Sequence, residues 1–296
     1  MDSIYLGLFY TFRFITLYTP KCIMDFILKS GAIFFYTIDK KHRKIAKANL
    51  DLAYEDKISE DEKINIIKGC YKNLIYTLAD FIRNQGATKE EVLNKVSFKN
   101  EDLLTSLIKQ NRKIIIMTAH YGNWELLSLA IAAKLTPLSI VGRDLESEVM
   151  NKILTKNREQ FDVELLSKSG AMKGMLTALK KNRPVGILVD QNTKNEEGIL
   201  IDFFGKKARH TPSAAVLAKK FNAVIIPAFI KSLDNEKYEI EFYESFEVAN
   251  SEDKEKDILE CVQKQADITE EVIKSKPNEW FWLHKRWKNQ YEHIYK

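Results

Sequence analysis

The chain has 296 residues, 45% of them hydrophobic and 29% charged, with a net charge of +5. That length suits one large α/β domain with attachments or two small domains, and the apolar content excludes wholesale disorder. Cys22, Cys70 and Cys261 are too scattered for a disulfide framework or a zinc site, which fits a reducing compartment. The mild positive charge is compatible with an anionic membrane surface, an acidic carrier protein or nucleic acid.

Residues 1–38 stand apart. They hold ten aromatics, and after Asp2 only Arg13, Lys21, Asp25 and Lys29 are charged. The uncharged pieces, 3–12 and 30–38, fall short of the ~18 residues a spanning helix needs. No small-residue cleavage site follows a clean apolar core, so a signal peptide fits poorly. Pro20 is placed to open a second helix, in which Lys21, Asp25 and Lys29 form one stripe and the remaining circumference is apolar. Such a helix is expected to lie in a bilayer interface; the other reading is an apolar cap packed on the body. Residues 40–44, KKHRK, add a basic cluster of the kind that favours anionic lipid, or a solvated helix face.

Residues 39–110 read as helical. Ser59 with Glu62 and Thr88 with Glu91 are capping boxes, and Asn100 is a third plausible cap. From Lys113 the pattern alternates. Strands are predicted at 113–118, 138–141, 163–166, 185–189, 199–204, 223–230 and 238–248, the last as an outer antiparallel strand. Helices are predicted at 124–134, 146–160, 171–181 and from Pro212 to Phe221. The rhythm predicts an α/β fold, a mostly parallel central sheet flanked by helices. A charged helix at 253–275 and a Trp-rich tail follow. The expected organisation is a membrane-associated segment 1–38 and one domain 39–296, with helical 39–110, an α/β core 111–250 and C-terminal helices 251–296.

The stretch KIIIMTAHYGNWE, 113–125, organises the chemistry. Its continuous apolar run suits a strand buried on both faces, broken at Gly122-Asn123. His120 then falls at the carboxyl end of a central strand, where open α/β sheets place their sites, and Glu125 in the first turn of the next helix. Glu125 is expected to orient His120 and stabilise its imidazolium; the plainer reading is a buried histidine beside a glutamate complementing the helix dipole. Asp190-Gln191 ends another strand on the same rim, where the carboxylate anchors an arginine or orders the site, or merely caps a turn. Arg143 and Arg158 lie between those strands and suit an anionic substrate, or a pairing with Asp190. Residues 202–212 read as an aromatic loop leading to a helix capped by Thr211 with Pro212 at its first position. The tail PNEWFWLHKRWK, 277–288, carries three tryptophans with His284, Lys285, Arg286 and Lys288. It is read as a membrane-interface contact or as tryptophans packed on the body; no nucleic-acid motif accompanies it. There is no P-loop, GxGxxG, GxSxG or HExxH motif. His120 and Glu125 lack a third ligand at metal spacing.

Taken together, these residues resemble the lipid A late acyltransferases, the lauroyl/myristoyl transferases of lipopolysaccharide synthesis. The resemblance rests on Asn49-Leu50 in the helix 43–52, AHYGNWE, Asp190-Gln191, the FFG…TP of 203–212 and the Trp-x-His-x-Arg ending, Trp282 to Arg286. It implies an ester-forming enzyme on the cytoplasmic face of the inner membrane. The implied reaction moves a fatty acyl chain from an acyl carrier protein thioester to a hydroxyl on a lipid A precursor. His120 and Glu125 match the catalytic pair; Arg158 and Asp190, with Arg143 and Arg286, match or neighbour substrate-binding positions. Backbone amides near Gly122, or an arginine, would stabilise the oxyanion. No metal or cofactor is implied; the partners are acyl carrier protein, the lipid A precursor and inner-membrane lipid, without nucleic acid. The alternative is an acyltransferase for another glycolipid or a glycerophospholipid, since HxxxxE motifs are shared among them.

Overall fold

The computed structural model describes residues 2–234 and 236–296, the side chains of residues 2 and 3 excepted. Met1, the first residue of the predicted N-terminal segment, lies outside them. Seven strands form one sheet: β1 (Val96–Lys99), β2 (Ile114–Thr118), β3 (Leu138–Gly142), β4 (Val163–Ser167), β5 (Val185–Leu188), β8 (Val224–Ser232) and β9 (Tyr238–Phe242). Their spatial order is β1-β9-β8-β2-β5-β3-β4, and only β8 and β9 pair antiparallel. A separate antiparallel hairpin holds β6 (Ile199–Phe203) and β7 (Lys206–His210). The mostly parallel sheet flanked by helices is the predicted fold class.

Every residue of β2 is buried, as a central parallel strand with both faces covered requires. One face is covered by α7 (Trp124–Lys134), whose Leu126, Leu127, Ala130 and Ile131 pack with Ile114, Ile116 and Leu138. The opposite face carries Ile115, Met117, Val185 and Ile187. They pack against α9 (Ala171–Lys180), α10 (Ser213–Phe221) and α11 (Lys254–Ser275). Two further helices precede the sheet, α5 (Lys89–Leu93) and α6 (Glu101–Lys109).

Three predicted elements are corrected. β1 interrupts the region read as helical; it is four residues long, too short to show a period, and its partner β9 lies far along the chain. The strand read through residue 248 stops at Phe242 and is not outermost, because β1 covers its free edge. Arg209 and His210, read as loop, end β7, and α10 begins at Ser213, so Pro212 occupies the cap position; Thr211 Oγ1 still accepts from Ser213 N at 3.3 Å. The two capping boxes form as predicted, opening α4 (Glu60–Arg83) and α5. Asn100 occupies its cap position without a side-chain cap bond.

At the N-terminus α1 (Asp2–Tyr18) and α2 (Lys21–Ile38) lean on α4, and α3 (Lys40–Tyr54) follows. Met24 and Leu28 are buried with Tyr76 and Ala79, and Phe9 with Ile82 and Ile153. Ile153 belongs to α8 (Glu148–Arg158). Beyond that narrow seam the two helices expose Leu8, Phe14, Ile23, Phe26, Ile33 and Phe34 among others. Among the described residues no helix is long and apolar enough to cross a membrane. Burial of the tail is the reverse: Trp280, Trp282, Trp287 and Arg286 have no exposed surface.

Candidate active site

Parallel register sets the site. Thr118 of β2 is level with Leu188 of β5, so His120 and Asp190, each two residues further on, emerge side by side at the carboxyl edge. Asp190 Oδ1 accepts a hydrogen bond from His120 Nδ1 at 2.9 Å, and Oδ2 accepts the His120 backbone N–H at 3.1 Å. Trp280 Nε1 donates to the same Oδ2 at 2.8 Å. Asp190 is fully buried. Burial opposes its ionisation, yet the His120 imidazole, His284 and the indole N–H outweigh that cost and hold the carboxyl well below the usual range. The ionised carboxylate accepts from Nδ1, which leaves the His120 Nε2 lone pair outward, where the Gln191 side-chain amide lies at 3.3 Å.

The carboxylate expected to orient His120 was Glu125; the structure corrects this. Glu125 Oε2 and Oε1 accept from Arg158 Nε at 2.9 Å and Nη2 at 2.6 Å, a bidentate pair. Glu125, in the first turn of α7, instead meets Arg158, the last residue of α8. So paired, Arg158 does not reach Asp190. Register alone carried the signal for the true partner, since both chains of the couple run two residues past a paired position.

Gly122 adopts φ +57°, and a Cβ there would lie 1.8 Å from the Ile230 carbonyl oxygen, so the turn after His120 requires glycine. Its N–H donates to the Glu279 carbonyl at 3.0 Å. That one amide is therefore committed to the fold. Asn123 caps α7 by accepting from Leu126 N at 3.2 Å, and its amide donates to buried Asp80 at 3.1 Å.

His120, Trp124, Glu125 and Arg158 sit at the mouth of a cavity of about 410 Å³. It runs inward between the sheet and α7, past Thr118, Leu188, Leu127, Ile140 and Ser128 to Ile116, Gly186 and Leu138. Arg143 lies exposed at its rim. Arg286, expected near substrate, is instead buried behind the site. It donates to the Arg209 carbonyl and to His210 Nδ1, and stands 4.9 Å from the Phe203 ring centroid. Burial pushes His210 down to about 3, with the Arg286 charge adding to the effect. Asn49, singled out in the sequence, donates to the carbonyls of Trp282 and His284 at 2.7 Å each, fastening the tail to α3. Among the described residues no group of three or more His, Cys, Asp or Glu is placed to hold a metal ion.

The site thus combines a histidine fixed by a buried carboxylate with a cavity of largely apolar lining, an arrangement found where a ligand with an apolar part is bound. The sequence matches the family described as bacterial lipid A biosynthesis acyltransferase over residues 3–289, and the chain belongs to that family. It is 19% identical over 282 residues to a lipid A biosynthesis acyltransferase of Haemophilus influenzae, covering 95% of this chain and 86% of that protein. It is 20% identical over 253 residues to the lipid A biosynthesis palmitoleoyltransferase of Escherichia coli, covering 85% and 80%. A solved 1-acyl-sn-glycerophosphate acyltransferase from Thermotoga maritima aligns with a TM-score of 0.34 and 13% identity, over 83% of this chain and 97% of that one. The family is the one that the sequence resemblance implied.

Proposed function

We propose that the enzyme takes its acyl group from an acyl carrier protein thioester and delivers it to a hydroxyl of a hydroxyacyl chain on a lipid A precursor, with His120 as general base. The observation carrying this reading is the His120–Asp190 couple at the mouth of the apolar cavity. The acceptor hydroxyl replaces the Gln191 amide at His120 Nε2. Nε2 takes the hydroxyl proton as the oxygen attacks the thioester carbonyl, and Asp190 stabilises the imidazolium. Collapse of the tetrahedral intermediate expels the carrier thiolate, which recovers the proton from Nε2. Arg158, held by Glu125, and Arg143 at the rim supply positive charge for the developing oxyanion and for substrate phosphates. No cofactor is part of this proposal.

The exposed apolar surface of α1 and α2 supports docking on a bilayer, with the basic start of α3 at headgroup level. The cytoplasmic face of the inner membrane is the proposed site, since the carrier protein donor is cytoplasmic.

The test is transfer from an acyl carrier protein thioester to an under-acylated lipid A precursor, read by mass. One added acyl group is expected with the natural enzyme, and a ~10⁴-fold fall in kcat for Asp190→Asn, on the scale seen when a triad carboxylate is neutralised. No transfer by the natural enzyme would overturn the donor assignment; undiminished transfer by His120→Ala would overturn the mechanism.

A further inference from the structure

The acyl slot has a floor with one side chain missing. In a sheet, in-register neighbours on parallel strands point to the same face. Gly186 of β5 is level with Ile116 of β2 on one side and Ile140 of β3 on the other. Both isoleucines line the cavity, and Gly186 lies between them at its inner end with Ile116 and Leu138. A Cβ on Gly186 would point into this gap. It would lie 3.1 Å from Ile140 Cγ2 and 3.7 and 3.8 Å from the Leu138 methyls. Glycine in the interior of a central strand weakens it and often marks close approach by a ligand.

We infer that Gly186 sets how deep an acyl chain enters, and therefore which donor lengths the enzyme accepts. The inference rests on the acyl-transfer reading above and deepens it. Four residues separate the reacting edge at His120 from Ile116, about 13 Å along the strand. An extended chain advances about 1.2 Å per bond, as three backbone bonds span roughly 3.5 Å. The slot therefore holds a straight chain of roughly ten to twelve carbons. A methyl on Gly186 shortens it from the floor, whereas truncating Ile140 widens the same end.

The experiment uses the full chain, saturated straight-chain acyl carrier protein thioesters graded in length, and one lipid A precursor. For Gly186→Ala the optimum should move to shorter donors, with kcat/KM for the natural optimum falling tenfold or more relative to the shorter donor, the discrimination typical of one methylene. Ile140→Ala should move the optimum to longer donors. Thermal unfolding of both variants separates a folding defect from a change in selectivity. An equal loss for every donor, or an unmoved optimum in both folded variants, overturns the inference while leaving the transfer reaction standing. Absence of transfer by the natural enzyme from any donor overturns the acyl-transfer reading instead.

Discussion

Two stretches of this chain are rich in aromatics and carry Lys or Arg: residues 1–38 and the tail 277–288. Composition invites the same membrane reading for both, yet the fold treats them oppositely. The first leaves Phe14, Phe26 and Phe34 exposed along a helical surface, while the second buries Trp280, Trp282 and Trp287 completely. The difference lies in polar handles and backbone form. Phe cannot hydrogen-bond, and an 18-residue helix like α2 satisfies its own backbone, so an apolar solvent suits its outer face. In the tail the chain is irregular, and its buried polar groups find partners partly on the body and partly within the tail itself. Trp280 finds Asp190, Trp282 finds the Pro277 carbonyl at 2.7 Å, and Asn49 takes two tail carbonyls.

The contrast is sharpest in stability. Trp282→Ala should destabilise by ~3–5 kcal/mol, the usual cost of emptying a buried aromatic site, as read by denaturant unfolding. Vesicle binding by the folded fraction should not change. The converse variant, Phe26→Ser with Phe34→Ser, should leave the unfolding midpoint nearly unchanged. It should weaken binding to anionic vesicles by about a hundredfold, each exposed ring being worth roughly 1.5 kcal/mol or more on burial. If the double variant unfolds early and still binds vesicles, the two stretches are alike after all.

A smaller effect tests whether the tail is tied to the chemistry. Trp280→Phe keeps an aromatic, if smaller, ring and deletes the donor to Asp190, a charge-assisted bond worth ~1.5–3 kcal/mol. Transfer rate should fall ten- to a hundredfold, with KM for the acyl donor unchanged. A separate test concerns pH and not the chemistry. His210 is fully buried, with its pKa pushed down to about 3 from an ordinary 6.5. Below pH 6.5 the unfolded chain binds a proton at this residue that the folded chain refuses. Stability is therefore full above pH 6.5 and falls as pH drops toward 3, by ~1.4 kcal/mol per pH unit from this group. His210→Gln should flatten that slope between pH 6 and 4 in thermal unfolding.

Much of the fold was legible because its signals are local. The apolar run of β2, the break at Gly122-Asn123, and the two capping boxes each depend on residues within a few positions of one another. What was illegible depends on distant partners. β1 exists because β9, far along the chain, offers it an edge. At the site, the same limit made Glu125 look like the partner of His120. It is five residues away in sequence, but the helix turns it toward Arg158, whereas Asp190 arrives through strand register from 70 residues downstream. The residues of the site were readable; their pairing was not, except through the shared offset beyond Thr118 and Leu188. Arg286 shows the reverse error, since a charged residue in a basic tail reads as exposed until its guanidinium is seen spent on a carbonyl and an imidazole.

The bond from Trp280 to Asp190 also imposes an order in time. Chain order puts α1 and α2 ahead of the sheet and residue 280 behind every one of its strands. Strands β2 and β5 are complete well before then, so His120 and Asp190 meet on a chain whose carboxylate still lacks one of its donors and whose Gly122 turn still lacks the Glu279 carbonyl. During synthesis the apolar helices therefore emerge while the edge that carries His120 and Asp190 still waits for donors from further along the chain.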